Sequence, residues 1–163
     1  LYKSSSLLLL VRTYKQRRQL RRGKALGELA EESGTNARAI VDAGAVPVLV
    51  RVLADGGSGN DPYNACCTKL LALLALNHAD DARVVAAAGA VSALTAMLHS
   101  ASSGQVTKNW CASALCAVAE KGGDRARAEV ASHSLPALTA ALGSGSSSEA
   151  TKNWCAHTMF AVA

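Results

Sequence analysis

Cys155 and His157 stand two residues apart, and a thiol beside an imidazole is a pairing that can activate a nucleophile. On the helix that the surrounding pattern implies, side chains two residues apart point to different faces. The adjacent Cys66 and Cys67 do not match the spacing of a zinc site. His78, His99 and His133 fall near expected helix ends, where solvation or capping is the simpler role. Gly56–Gly59 reads GGSG but lacks the Lys-Ser/Thr that a phosphate cradle requires. No GxSxG nucleophile motif is present. The sequence therefore predicts no catalytic residue, no metal ligand and no cofactor.

What remains is binding chemistry. The stretch TKNWCA occurs at Thr107–Ala112 and again at Thr151–Ala156, an offset of 44 residues. An Asn can donate two hydrogen bonds and accept two, enough to hold both sides of a peptide bond. A neighbouring Trp adds a flat apolar wall with one donor. Asn–Trp pairs spaced one unit apart can grip an extended chain. The alternative is that Trp110 and Trp154 wedge between adjacent helices. The recurring Cys66, Cys111 and Cys155 read as small core residues on an apolar face.

The elements that carry these pairs follow from the repeat. Val46, Leu49, Val50 and Leu53 fall at i, i+3, i+4 and i+7, one face of a helix. Val91, Leu94, Thr95 and Leu98 repeat the stripe, and Leu135, Leu138, Thr139 and Leu142 repeat it again. Before each stripe stands a short helix: Thr35 to Ala43 stopped by Gly44, Asp80 to Ala88 broken at Gly89, and Asp124 to Ser132. After each stripe come a loop rich in Gly or Ser and a longer helix. Asp55–Asn60 is the first such loop, and Pro62 opens the long helix behind it. The long helices carry Cys66, Leu70 and Leu73, then Cys111, Leu115 and Val118, then Cys155, Met159 and Val162. Arg38, Arg83 and Arg127 align, as do Asn64, Asn109 and Asn153, at offsets of 45 and then 44. A period of this length marks a solenoid whose units bury their apolar faces against each other.

Upstream, Ser4 to Ser33 reads as mostly helical, with Ser4–Ser6 as a cap, a break near Gly23, and Ser33-Gly34 as its stop. In its last part Arg22, Leu26 and Leu29 match the long-helix stripe, which makes it the end of a leading partial unit.

Three helices in roughly 44 residues resemble the armadillo repeat. AGAVPVLVRVL at Ala43–Leu53, AGAVSALTAML at Ala88–Leu98 and SHSLPALTAAL at Ser132–Leu142 carry the resemblance, with ALGELA at Ala25–Ala30 and ALCAVA at Ala114–Ala119. It implies an all-α, right-handed solenoid of about three full units plus the partial one. The N-terminal arm is 1–19, the leading long helix 20–33, and the units are 35–78, 79–122 and 124–163. In the last unit His133 stands where Gly44 and Gly89 permit a positive φ, a conformation His tolerates better than most residues. HEAT repeats are the close structural alternative, but they have two helices and lack AGAVP.

In such a solenoid the long helices line a concave groove. Asn64, Asn109 and Asn153 then form one ladder, with Leu20 at the matching position of the first unit. Lys24, Thr68, Ser113 and His157 form a second, four residues on, with Trp110 and Trp154 beside them. Nuclear-import adaptors of this family pair a Trp with an Asn four residues later. Here those positions hold Lys24, Thr68, Ser113 and His157, then Glu28, Ala72, Ala117 and Ala161, so neither array is present.

Composition agrees with close-packed helices. Of 163 residues, 50% are hydrophobic, with one Phe, two Trp and three Tyr, so Ala, Leu and Val must build the core. The net charge of +5 concentrates in an arm that includes Lys15, Arg17, Arg18, Arg21, Arg22 and Lys24. The arm reads as a solvated helix end, a partner-binding or autoinhibitory segment, or a contact to an anionic membrane. The preceding Leu7–Val11 strengthens the membrane reading, while Tyr2 and Tyr14 alone give little base stacking for nucleic acid. No apolar run reaches the roughly 20 residues of a membrane span. Five cysteines, an odd number, suit a reducing intracellular compartment, cytoplasmic, cytoskeletal or nuclear. The chain begins at Leu1 and ends inside a helical pattern, which reads as a piece of a longer protein. The expectation is a non-enzymatic scaffold that binds a protein or extended peptide along the groove. The alternatives are a structural part of a large cytoskeletal or ciliary assembly and a nuclear-transport adaptor.

Overall fold

The computed structural model describes residues 18–55 and 61–163. The expectations for Ser4–Ser6, Lys15, Arg17 and the loop Gly56–Asn60 lie outside the described residues.

Helix α1 covers residues 18–32 and runs through Gly23 without the expected break. A side chain at Gly23 would meet Cys66 Cβ at 3.4 Å, so glycine lets α1 approach the next long helix closely. Ser33 does not end α1 as a C-terminal stop. Its extended backbone and its Oγ, which accepts the Asn36 N–H at 3.1 Å, make it the N-cap of α2 (Gly34–Asp42). Gly44 then adopts φ 76°, which turns the chain into α3 (Ala45–Ala54) with Pro47 in its first turn. The long helix α4 spans Asp61–Asn77.

The next unit repeats this plan: α5 (Ala79–Ala87), Gly89 at φ 80°, α6 (Ala90–His99), and the long α7 (Gln105–Lys121).

The last unit departs from it. A single helix, α8 (Gly123–Gly143), replaces the two short ones, and α9 (Glu149–Val162) follows. His133 does not adopt a positive φ, and it lies inside the helix rather than near an end. With a Cβ, left-handed backbone costs about 1–2 kcal/mol, and staying helical avoids that cost. Pro136 lies inside α8 and withholds the N–H that the Ser132 carbonyl would accept, yet the helix continues.

The core forms where the stripes meet. Val46, Leu49, Val50 and Leu53 are buried, as are Val91, Leu94, Leu98 and Leu138. In the last unit Leu135 and Leu142 are half-buried and Thr139 is exposed. The second helices pack on one another in the order α3, α6, α8, and the long helices in the order α4, α7, α9. Of the aligned arginines only Arg38 reaches across units. It binds Asp81 of α5 at 2.6 Å and Asp42 of its own helix at 3.1 Å, and these carboxylates, Asp42 first, raise its pKa. Arg83 and Arg127 pair within their own helices, with Asp80 and Asp124. No single helix among the described residues is long and apolar enough to cross a membrane.

Candidate partner-binding groove

The long helices are laced together at their N-terminal ends. Asp61 Oδ1 on α4 accepts the Gly104 N–H and the Thr107 hydroxyl, both at 2.8 Å, which fixes the start of α7. One unit on, Gln105 donates to the Ser146 carbonyl at 2.5 Å and accepts the Ser148 N–H at 3.0 Å. Ser148 in turn accepts the Thr151 N–H and caps α9. Each unit thereby positions the start of the next long helix, one turn before the Asn–Trp pair.

The three asparagines share a register but differ in exposure. Asn64 is buried, Asn109 is half-buried, and Asn153 is exposed. The Oδ1 of Asn109 is buried and accepts no hydrogen bond among the described residues. Trp110 and Trp154 are each half-buried against the core, so each combines a wedge with an open face. Lys69 Nζ stands 5.7 Å from the Trp110 ring centre and 2.8 Å from Glu31 of α1, which links three long helices in one row. Trp154 faces His157, with ring centres 6.1 Å apart.

The second ladder is corrected by burial. Thr68 and Ser113 are closed off from solvent, Thr68 donating to the Asn64 and Ala65 carbonyls of its own helix. Ala72 and Ala117, one turn on, are also fully buried. These small residues let α4 and α7 pack against both flanking long helices, and the flanking helices cover them. Only the end members of the ladder, Lys24 and His157, are exposed, because each has a long helix on one side alone. The accessible part of the groove thus lies over the second turns of α7 and α9, at Asn109, Trp110, Asn153 and Trp154. Arg18, Arg21, Arg22 and Lys24 are exposed on α1.

Burial holds the thiols in their protonated form. All five cysteines are unpaired. Burial pushes Cys67 and Cys155 up to about 11 and Cys116 to about 12, and it raises Cys111 as well. Cys66 is half-buried rather than a full core member, yet burial raises its pKa too. Among the described residues no group of three His, Cys, Asp or Glu could hold a metal ion.

No protein-family model matches the sequence, and no curated protein matches it. Solved structures do. A crystal structure of an engineered protein superposes with a TM-score of 0.79 at 23% identity, covering 88% of this chain and 56% of that one. A designed armadillo repeat protein gives 0.77 at 18% identity, over 89% of this chain and 58% of that one. A second designed armadillo repeat protein, in complex with the peptide (KR)4, gives 0.74 at 18% identity, over 85% and 55%. The chain spans a little over half the length of these structures. The fold is an armadillo-type helical solenoid.

Proposed function

We propose that this chain is a non-enzymatic interaction scaffold that holds an extended segment of a partner protein across the second turns of α7 and α9. One observation carries the reading: an Asn–Trp pair recurs in the same helical register on both helices, each Trp being half-buried with an open face. Peptide binding by the designed armadillo protein supports the same use of the fold. The charge differs, however. Lys108 and Lys152 adjoin the two pairs, which favours neutral or acidic segments over (KR)4. The five unpaired thiols fit a reducing, intracellular setting.

Random-peptide display against the immobilised full chain tests the proposal. Enriched peptides are expected to bind the Asn109→Ala/Asn153→Ala double variant at least about tenfold more weakly, the loss of one to two net hydrogen bonds per peptide group. Equal affinity for both proteins would remove the groove from the binding site.

A further inference from the structure

Two junctions between units occupy the same place in the repeat and differ in charge: α2 against α5, and α5 against the N-terminal half of α8. At the first, Arg38 serves two carboxylates at once, Asp81 of α5 through Nη1 and Asp42 of its own helix through Nε. Val41, Asp81 and Val85 are buried there, so apolar side chains fill the space around the ion pair. The repeat offsets map this junction onto the second. Arg38 becomes Arg83, Val41 becomes Ala86, Asp42 becomes Ala87, Asp81 becomes Arg125 and Val85 becomes Glu129. The carboxylate that closes the first junction is a guanidinium in the second, and a filling valine is an alanine.

The second junction holds a hollow of about 350 Å³, lined by Arg83 and Ala86 of α5 and by Arg125 and Glu129 of α8, among others. Clefts for small ligands start at about 300 Å³. Arg83 bonds Asp80 of its own helix through Nη1. That leaves its Nε edge for a second acceptor, the arrangement by which Arg38 holds two acids. The Arg83 Nε lies 4.0 Å from where a side chain on Gly123 would begin, so it overhangs the start of α8. Arg125 is exposed and forms no ion pair among the described residues. Its neighbour Asp124 is bound by Arg127. Glu129 is half-buried, is in no ion pair among the described residues, and is the one lining charge that opposes an anion.

We infer that Arg83 and Arg125 together bind a carboxylate supplied by a ligand, in the role that Asp81 fills one unit earlier. A guanidinium fork matches the two oxygens of a carboxylate, and charge-assisted bonds of this kind are the stronger ones. The lining residues lie outside the Asn–Trp groove, so the inference stands or falls apart from the proposed function.

Titration of the isotope-labelled full chain provides the test, with the arginine Nε–Hε signals followed by NMR. Acetate is one probe, and a glutamate flanked by two glycines, blocked at both ends, is the other. Arg83 and Arg125 are expected to move together along one saturating curve, which sodium chloride at equal ionic strength does not reproduce. Arg125→Gln should weaken binding about tenfold, the loss of one charge-assisted hydrogen bond. Glu129→Gln, which removes the opposing charge, should tighten it several-fold. Arg125→Asp rebuilds the pairing of the first junction, and should abolish binding while raising the melting temperature. Tighter binding of the peptide than of acetate supports a carboxylate carried by a partner protein, and the reverse supports a small free acid. Signals that move equally with chloride would overturn the inference. So would an affinity that Arg125→Gln and Glu129→Gln leave unchanged.

Discussion

The two copies of TKNWCA are identical in sequence and sit in different surroundings. Helix α7 lies between α4 and α9, whereas α9 packs against α7 alone among the long helices. Thr107 and Thr151 are fully buried in both, as are Cys111 and Cys155. Ala112 is buried and Ala156 is exposed, and Asn109 is half-buried where Asn153 is exposed. Outside the motif, Leu115 and Cys116 are buried, while their counterparts Met159 and Phe160 are half-buried and 86% exposed. The motif fixes which face is core, and the number of flanking helices decides how much of the rest is covered.

The largest test of that contrast is packing. Leu115→Ala should cost about 3–5 kcal/mol, because a leucine fully enclosed by neighbouring helices leaves a cavity. Met159→Ala, with one side open, should cost about 1 kcal/mol. Urea denaturation of both variants would read the difference, and equal losses would mean that α9 is as enclosed as α7.

A smaller test concerns the hinge. Gly89→Ala should destabilise by about 1–2 kcal/mol, all of it from the backbone, since a Cβ there meets nothing within 4 Å. His133→Ala, at the matching place in continuous α8, should be neutral or stabilise by up to about 0.7 kcal/mol. Opposite signs in thermal melts would show that one position needs a left-handed residue and the other a helix former.

The remaining test is on pH. Cys67 and Cys155, at about 11 when folded, start from an ordinary thiol value of 9. A folded pKa above the unfolded one means that the unfolded chain loses its proton first as pH rises. Stability is therefore complete below pH 9 and declines from there towards pH 11, as the denaturation midpoint should show. Cys155→Ala should reduce the slope, and an unchanged slope would assign it to other groups.

Much of the fold was legible because the punctuation was. Gly44 and Gly89 mark left-handed turns, and the leucine and valine stripes marked the buried faces. What the sequence hid was contextual. Ser33-Gly34 has the composition of a helix stop, yet the Ser33 hydroxyl starts the next helix. His133 tolerates a positive φ in isolation, but nothing in the last unit forces it. Thr68 and Ser113 were polar enough to suggest a surface, and only the spacing of α4 and α7 shows that small residues there allow contact instead. Asn109 and Asn153 were found by register alone, whereas the burial of the Asn109 oxygen needed the packed helix beside it.

Gln105 has a consequence for how the solenoid tolerates changes in length. The loop at Ser144–Ser148 is short and polar and folds as a turn, in which the Ser144 Oγ accepts the Ser146 N–H at 3.2 Å and the Ser144 carbonyl accepts the Ser147 N–H at 3.4 Å. Gln105 of the preceding unit fixes where this turn sits, donating to the Ser146 carbonyl and accepting the Ser148 N–H. One residue inserted there would leave every helix intact but pull the loop off its template, shifting the phase of α9 against α7. The 44-residue step is thus held to length by the turn's own hydrogen bonds and by a side chain one unit away.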